Sequence, residues 1–336
     1  MSRRSYQGLP VRTGLLTRYL DAMGRTPIEE ASLEDIRASR EQVYPAWPPF
    51  SWITGPTGRG VRISDAHVRA RDGHRVPVRC YAPASDRPLP LLVYLHGGGW
   101  VWGSTFMYDP LCSRLAAAVP AVVVSVDYRL APEHRSPQAV LDCLDVVTAL
   151  VQDRATVVAD GVPAYDPDQV GLAGDSAGGN LSAVLAQQLR DLRGPGGEPA
   201  VRHQALIYPA TDMTLASPSI RENAHAPILT EAAVHAFRAH YLGDAPTEDQ
   251  LRDPLSSPLF GDLEGVAPAL VQVAEKDPIR DDGTRYAAAL QAAGVPVRAT
   301  EYVGLPHGFA SFPGACPAGK QAESELAGEI RRHLAP

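Results

Sequence analysis

Two glycine-rich motifs hold the residue types that can do chemistry. Gly174-Asp175-Ser176-Ala177-Gly178 is a GxSxG pattern; it follows the apolar run Val170–Ala173 and precedes a helical pattern from Gly178. A serine on a tight strand-to-helix turn is held in a strained backbone conformation with its hydroxyl clear of the sheet. Glycines two residues either side remove the side chains that would collide there. The helix start behind the serine favours negative charge. The chemistry implied is attack of the Ser176 hydroxyl on a carbonyl. The second motif, His96-Gly97-Gly98-Gly99-Trp100, follows the run Leu91–Leu95. Bare glycines let a backbone come close to a substrate and aim N–H groups at it. Gly97 and Gly98 N–H are therefore expected to join Ala177 N–H in holding a developing oxyanion. His96, at the end of the run and before the loop, reads as structural. Taken singly, each motif also fits an ordinary turn.

The elements that must position these groups are legible in the hydrophobic pattern. Val61–Ala70 and Val76–Tyr81 read as antiparallel strands around the turn signal Asp72-Gly73. Short apolar runs of buried-strand type follow at Leu91–Leu95, Val122–Val126, Val170–Ala173, Leu206–Tyr208, Leu270–Val273 and Arg298–Tyr302. Helical patterns lie between them, at Pro110–Val119, Pro137–Asp153, Gly178–Leu192 and Gly283–Ala293, and Lys320–Leu334 reads as a closing helix. Alternation of this kind predicts a mostly parallel sheet flanked by helices, an α/β fold. Residues 1–60 read as an N-terminal cap segment, with Ser32 and Asp35 as a weak capping box and Tyr44–Gly60 as a loop. The catalytic domain is expected over 61–336, with a cap insertion at about 210–250 that contains the helical pattern Glu231–Tyr241.

A serine nucleophile needs an acid and a histidine later in the chain, in that order. Asp277 stands directly after the run Leu270–Val273, and Glu275, Asp281 and Asp282 stand close enough to be alternatives. His307 lies just past the strand expected to end near Tyr302. Both regions are loops at the carboxyl ends of strands, where α/β sheets place ligands.

The motifs HGGGW and GDSAGGN, with Asp127-Tyr128-Arg129-Leu130-Ala131-Pro132-Glu133 between them, resemble the hormone-sensitive-lipase-like esterases. These are α/β-hydrolases with a helical cap. Asp277-Pro278-Ile279-Arg280-Asp281 is similar to that family's DPLxD acid motif, with Ile279 in place of Leu, and His307-Gly308-Phe309 is similar to its HGF. The resemblance runs from about residue 80 to the end of the chain and more loosely through the N-terminal segment. It implies Ser176, Asp277 and His307 as a catalytic triad. It also implies that Tyr128 and Glu133 anchor the oxyanion loop, and that Asp175 and the Tyr208–Asp212 turn are supports. The activity implied is hydrolysis of short- to medium-chain carboxylic esters through an acyl-enzyme, with no cofactor and no metal. The family often dimerises, so a homodimer is open.

Trp100, Trp102 and Phe106 follow the oxyanion loop closely enough to line a substrate pocket, and core packing is their other reading. Three rivals share the fold. One is an amidase, deacetylase or lactonase with the same triad, and another an acyltransferase that uses an alcohol in place of water. The third is a non-catalytic ligand receptor like the gibberellin receptors, against which an intact set of Ser176, Asp277 and His307 counts.

The composition excludes other classes. The chain has 336 residues, 45% hydrophobic and 21% charged, enough for a full core. A formal net charge of −7 without a basic stripe argues against a nucleic-acid partner. No apolar stretch suits a membrane span, and Met1–Gly24 lacks a signal-peptide core, so a cytoplasmic enzyme with a small-molecule ester substrate is expected. Cys80, Cys112, Cys143 and Cys316 match no metal spacing and are expected as reduced, buried thiols. The remaining histidines form no HxxxH or HExxH set.

Overall fold

An apolar run without polar alternation belongs where both faces of a strand are covered. In the computed structural model, which describes residues 6–23, 26–41 and 50–334, such runs form the middle of one eight-stranded sheet. The strands are β1 (Val61–Arg69), β2 (Arg75–Pro83), β3 (Leu89–Leu95), β4 (Val122–Val126), β5 (Tyr165–Asp175), β6 (Val201–Ile207), β7 (Ala269–Lys276) and β8 (Val297–Pro306). Their spatial order is β1-β2-β4-β3-β5-β6-β7-β8. β1 and β2 pair antiparallel, as do β2 and β4; every other pairing is parallel. Crossovers between parallel strands leave all their carboxyl ends on one edge, and that edge carries the site.

The period of two along a strand distributes the core. Leu91, Val93 and Leu95 of β3 enter one layer with the helices Gln138–Gln152 and Ala177–Gln188. Leu92 and Tyr94 enter the opposite layer with the helices Asp109–Ala118 and Pro317–Leu334. At the edge, β1 keeps the alternation of a half-covered strand: Ala66 and Val68 are buried, while Asp65, His67 and Arg69 are exposed. The turn between β1 and β2 holds Gly73 at φ +84°, a conformation that favours glycine.

The expected strands all occur, several with longer ends. β5 starts at Tyr165, well before the apolar run, because Tyr165 and Asp166 pair with Leu89 and Pro90 ahead of a register shift. Ser32 and Asp35 form a complete capping box on the helix Leu33–Arg40. Of the loop expected over Tyr44–Gly60, residues 44–49 lie outside the described residues, and Phe50–Thr54 is a short helix rather than loop. Prolines read as breakers are equally at home just before or inside a first helical turn. Between β6 and β7 the chain forms the helices Pro218–Glu222, Glu231–Leu242 and Glu248–Leu251. Thr230 caps the second of these, its hydroxyl accepting from Ala233 N at 3.1 Å. Among the described residues no helix is long and apolar enough to cross a membrane.

Candidate active site

β5 ends at Asp175 and a helix begins at Ala177, so Ser176 alone makes the turn, at φ 55° and ψ −117°. Its N–H donates to Ile207 O at 2.8 Å, which fixes the turn against β6. A Cβ on Gly174 or Gly178 would collide with backbone carbonyls, of Gly178 and Leu95 respectively, so the sharp elbow needs glycine at both.

Strand pairing supplies the partners. Lys276 of β7 lies opposite Pro306 of β8, which puts the next residues, Asp277 and His307, side by side despite their separation in sequence. His307 Nδ1 is 2.7 Å from Asp277 Oδ2, and His307 Nε2 is 2.9 Å from Ser176 Oγ. With the proton on Nδ1, the imidazole donates to the carboxylate and leaves Nε2 to accept from the serine. Asp277 is fully buried, and its other oxygen accepts from Ile279 N at 3.0 Å. The alternative acids are engaged elsewhere. Glu275 pairs with Lys276 at 2.6 Å, Asp281 pairs with Arg280 at 2.8 Å, and Asp282 accepts from Thr211 N at 3.0 Å and Asp212 N at 3.1 Å.

The oxyanion loop departs from expectation at one residue. Gly97 N–H is directed at Asp175 Oδ1 and Tyr108 Oη, both at 3.0 Å, and is not free for a substrate. The reason is the buried carboxylate of Asp175, which gathers donors: Tyr94 Oη and Tyr108 Oη at 2.9 Å as well as Gly97 N. Burial raises the Asp175 pKa, and the two tyrosine hydroxyls oppose that shift. Gly98 at φ +120° and Gly99 at φ +61° turn the loop. Gly98 N–H, Gly99 N–H and the helix-start Ala177 N–H make no hydrogen bond among the described residues. Glycine spacing points to a loop there; the identity of the free amides depends on Tyr94 and Tyr108, which carry no local sequence signal of that role.

Tyr128 does anchor this loop: its hydroxyl donates to His96 O at 2.7 Å and its ring stacks on His96 at 4.4 Å. Burial pushes the His96 pKa down, which keeps a structural, neutral imidazole. Glu133 does not touch the loop. It binds Arg37 at 2.9 Å and Arg40 at 3.0 Å, and Arg40 also donates to Val101 O at 2.8 Å, so Glu133 holds the N-terminal helix instead.

A cleft of about 1520 Å³ opens over Ser176 and His307, walled by Trp100, Trp102 and Phe106, by residues ahead of β1 such as Leu20 and Ile28, and by residues between β6 and β7 such as Val234 and Phe237. Trp100 is 4% exposed and stacks on Tyr241 at 4.5 Å, so much of its surface is packing. Trp102 meets Phe237 of the helix Glu231–Leu242 edge-on at 5.2 Å. Phe106 is half exposed, with the Arg79 guanidinium 4.3 Å from its ring centre. Away from the cleft, His203, Glu329 and His333 bring ligand atoms within 4.8 Å of one another. The two rings are stacked at 4.6 Å and 14°, so their in-plane lone pairs run side by side, and Glu329 is held by Arg298 and Arg332. That geometry fits stacked neutral imidazoles better than ligands converging on an ion.

A mostly parallel sheet with a serine elbow at its carboxyl edge defines an α/β-hydrolase. The pattern of a family described as alpha/beta hydrolase fold matches residues 92–311. The carboxylesterase NlhH of Mycobacterium tuberculosis is 41% identical over 261 residues, covering 77% of this chain and 79% of its own. An ethyl acetate hydrolase of Pseudomonas putida is 38% identical over 264 residues, 76% of this chain and 78% of its own. Among solved structures, the hyperthermophilic esterase from the archaeon Pyrobaculum calidifontis superposes with a TM-score of 0.82 at 34% identity, covering 96% of this chain and 98% of that one. The chain belongs to the hormone-sensitive-lipase-like carboxylesterase family of α/β-hydrolases.

Proposed function

We propose that this carboxylic ester hydrolase works through an acyl-enzyme on Ser176, with His307 as general base and acid and Asp277 as its orienting carboxylate. The Ser176 hydroxyl gives its proton to His307 Nε2 as Oγ bonds to the ester carbonyl carbon. Asp277 holds the imidazole tautomer and stabilises the imidazolium. The tetrahedral oxyanion accepts from Gly98, Gly99 and Ala177 N–H, each such donor being worth about 10²–10³ in rate. His307 then protonates the leaving alcohol as the carbon–oxygen bond breaks. Water, deprotonated by the same nitrogen, attacks the acyl carbon, and Ser176 leaves with its proton restored.

The observation that carries this reading is the 2.9 Å contact of His307 Nε2 with Ser176 Oγ, backed by Asp277 at 2.7 Å. Residues 1–60 and the insertion at about 210–250 serve as the cap, since Leu20 and Ile28 from the first and Val234 and Phe237 from the second wall the cleft. A capped cleft suits short to medium acyl chains, and the Pseudomonas relative is named for ethyl acetate, a short ester. A cytoplasmic setting is consistent with four buried cysteines that are all free thiols. The test is Ser176→Ala assayed on 4-nitrophenyl acetate and butyrate. Turnover falls by about 10⁴-fold or more with the fold intact by circular dichroism, and an organophosphate no longer adds to the protein. Activity within tenfold of the parent would move the nucleophile elsewhere.

A further inference from the structure

Among the described residues Arg238 is a cation with no ion-pair partner. It lies on the cap helix Glu231–Leu242 and faces the same cleft as Ser176. Its Nη1 donates to Met213 O at 3.2 Å and its Nη2 lies 3.5 Å from His235 Nδ1. Among the described residues no carboxylate pairs with it. Partial burial disfavours the charged guanidinium, and no neighbouring acid offsets that penalty. Three of the acids that share the cleft bear on groups other than Arg238. Asp212 is bound to Arg285 at 2.6 Å. Asp282 has its pKa pushed up to about 8 by burial and by neighbouring Asp212. Glu231, at the start of the same helix, bears on His235.

A half-buried guanidinium in a mainly apolar wall costs free energy unless something pairs with it. Five donors in a rigid fork match a carboxylate. The adjoining residue, Phe237, packs on Trp102 and against the face of Gly99, so this turn of helix stands next to that glycine loop.

We propose that Arg238 receives a free carboxylate carried by the substrate, so that the site prefers small anionic esters, such as half-esters of short dicarboxylic acids. This rests on the esterase reading above and names the substrate class of that site. The reaction is unchanged: water adds across the ester bond, giving an acid and an alcohol, while the second carboxylate stays on Arg238.

The test compares each acid with its own methyl ester. 4-Nitrophenyl hydrogen glutarate carries the charge on the acyl side, and 4-acetoxybenzoate carries it on the alcohol side. In at least one pair the wild-type enzyme favours the acid by tenfold or more in kcat/KM, mainly through KM. Arg238→Met lowers that ratio by at least tenfold, and Arg238→Lys restores part of it. In the wild-type enzyme, glutarate competes with a neutral ester while glutaramide does not, a measurement that needs no variant. A wild-type preference for the neutral member in both pairs overturns the proposal, as does a ratio unmoved by Arg238→Met or equal inhibition by the acid and the diamide. If no ester in either pair is turned over, the esterase reading itself fails, and that result is distinct from the others.

Discussion

At the carboxyl edge of the sheet, the groups proposed for chemistry hang from strand ends; Asp277 and His307 are buried and Ser176 partly so. The N-terminal segment, proposed above as part of a cap, is different: on its first helix, Val11–Ala22, Val11, Leu15 and Tyr19 are 79%, 63% and 53% exposed. The edge is held by backbone pairing. β5, β6, β7 and β8 pair in parallel register, so a slip of any one strand against its neighbour would part Ser176, Asp277 and His307. The N-terminal segment is held by single apolar anchors such as Ile28 and Ile36 and by polar ties, of which Glu133 with Arg37 and Arg40 is one. Rigid elements set the reaction and weaker ties set what reaches it, a division that lets one chemistry serve many substrates.

Breaking the edge should cost most. Asp277→Asn removes the acceptor that fixes the His307 tautomer, and the expected loss in kcat is about 10⁴-fold. A loss below tenfold would mean that another carboxylate, Asp281 or Asp282, can take its place. A step down is Asp175→Asn. The carboxylate that gathers Gly97, Tyr94 and Tyr108 becomes half donor, and the oxyanion loop loses its fixed attachment. Kinetics should show a fall of about 10²-fold in kcat with KM little changed, the scale of one misplaced oxyanion donor. An unchanged kcat would assign the loop's position to Tyr128 and His96 alone.

The edge was also the more legible region. GxSxG after an apolar run is a local signal, and its geometry follows from three fixed residues in five positions. Asp277 was legible by position after a strand, but its neighbours competed until pairing of β7 with β8 put it beside His307. The free amides were not legible, because they depend on which glycine a distant carboxylate claims. Asp175 claims Gly97 only because Tyr94, on a strand, and Tyr108, on a 3-10 turn, converge there in three dimensions. The cap was harder still. Arg238 reads as one more arginine on a helix, and its lack of an acid partner among the described residues is a property of tertiary packing alone.

The smallest effect tests the cap side of the contrast. Burial alone would raise the Glu133 pKa, yet Arg40 and Arg37 outweigh it and hold the group at about 2. The folded pKa lies below the ordinary value of 4.5, so between these values the unfolded chain binds more protons than the folded one. The pair therefore contributes its full stability above about pH 5, and that contribution drains away as pH falls through 4.5 toward 2. Glu133→Gln removes it. For a mostly screened pair the expected cost at pH 7 is about 1 kcal/mol. The difference in Tm between parent and variant should be present at pH 7 and shrink on acidification to pH 4. Turnover of 4-nitrophenyl acetate should change by less than threefold, because Glu133 lies away from the oxyanion loop. Proteolysis ahead of Gly60 should become faster if Arg37 and Arg40 are what keep the N-terminal helix docked. A Tm difference independent of pH would assign the effect to packing, and a large fall in kcat would mean that the cap tie positions the chemistry after all.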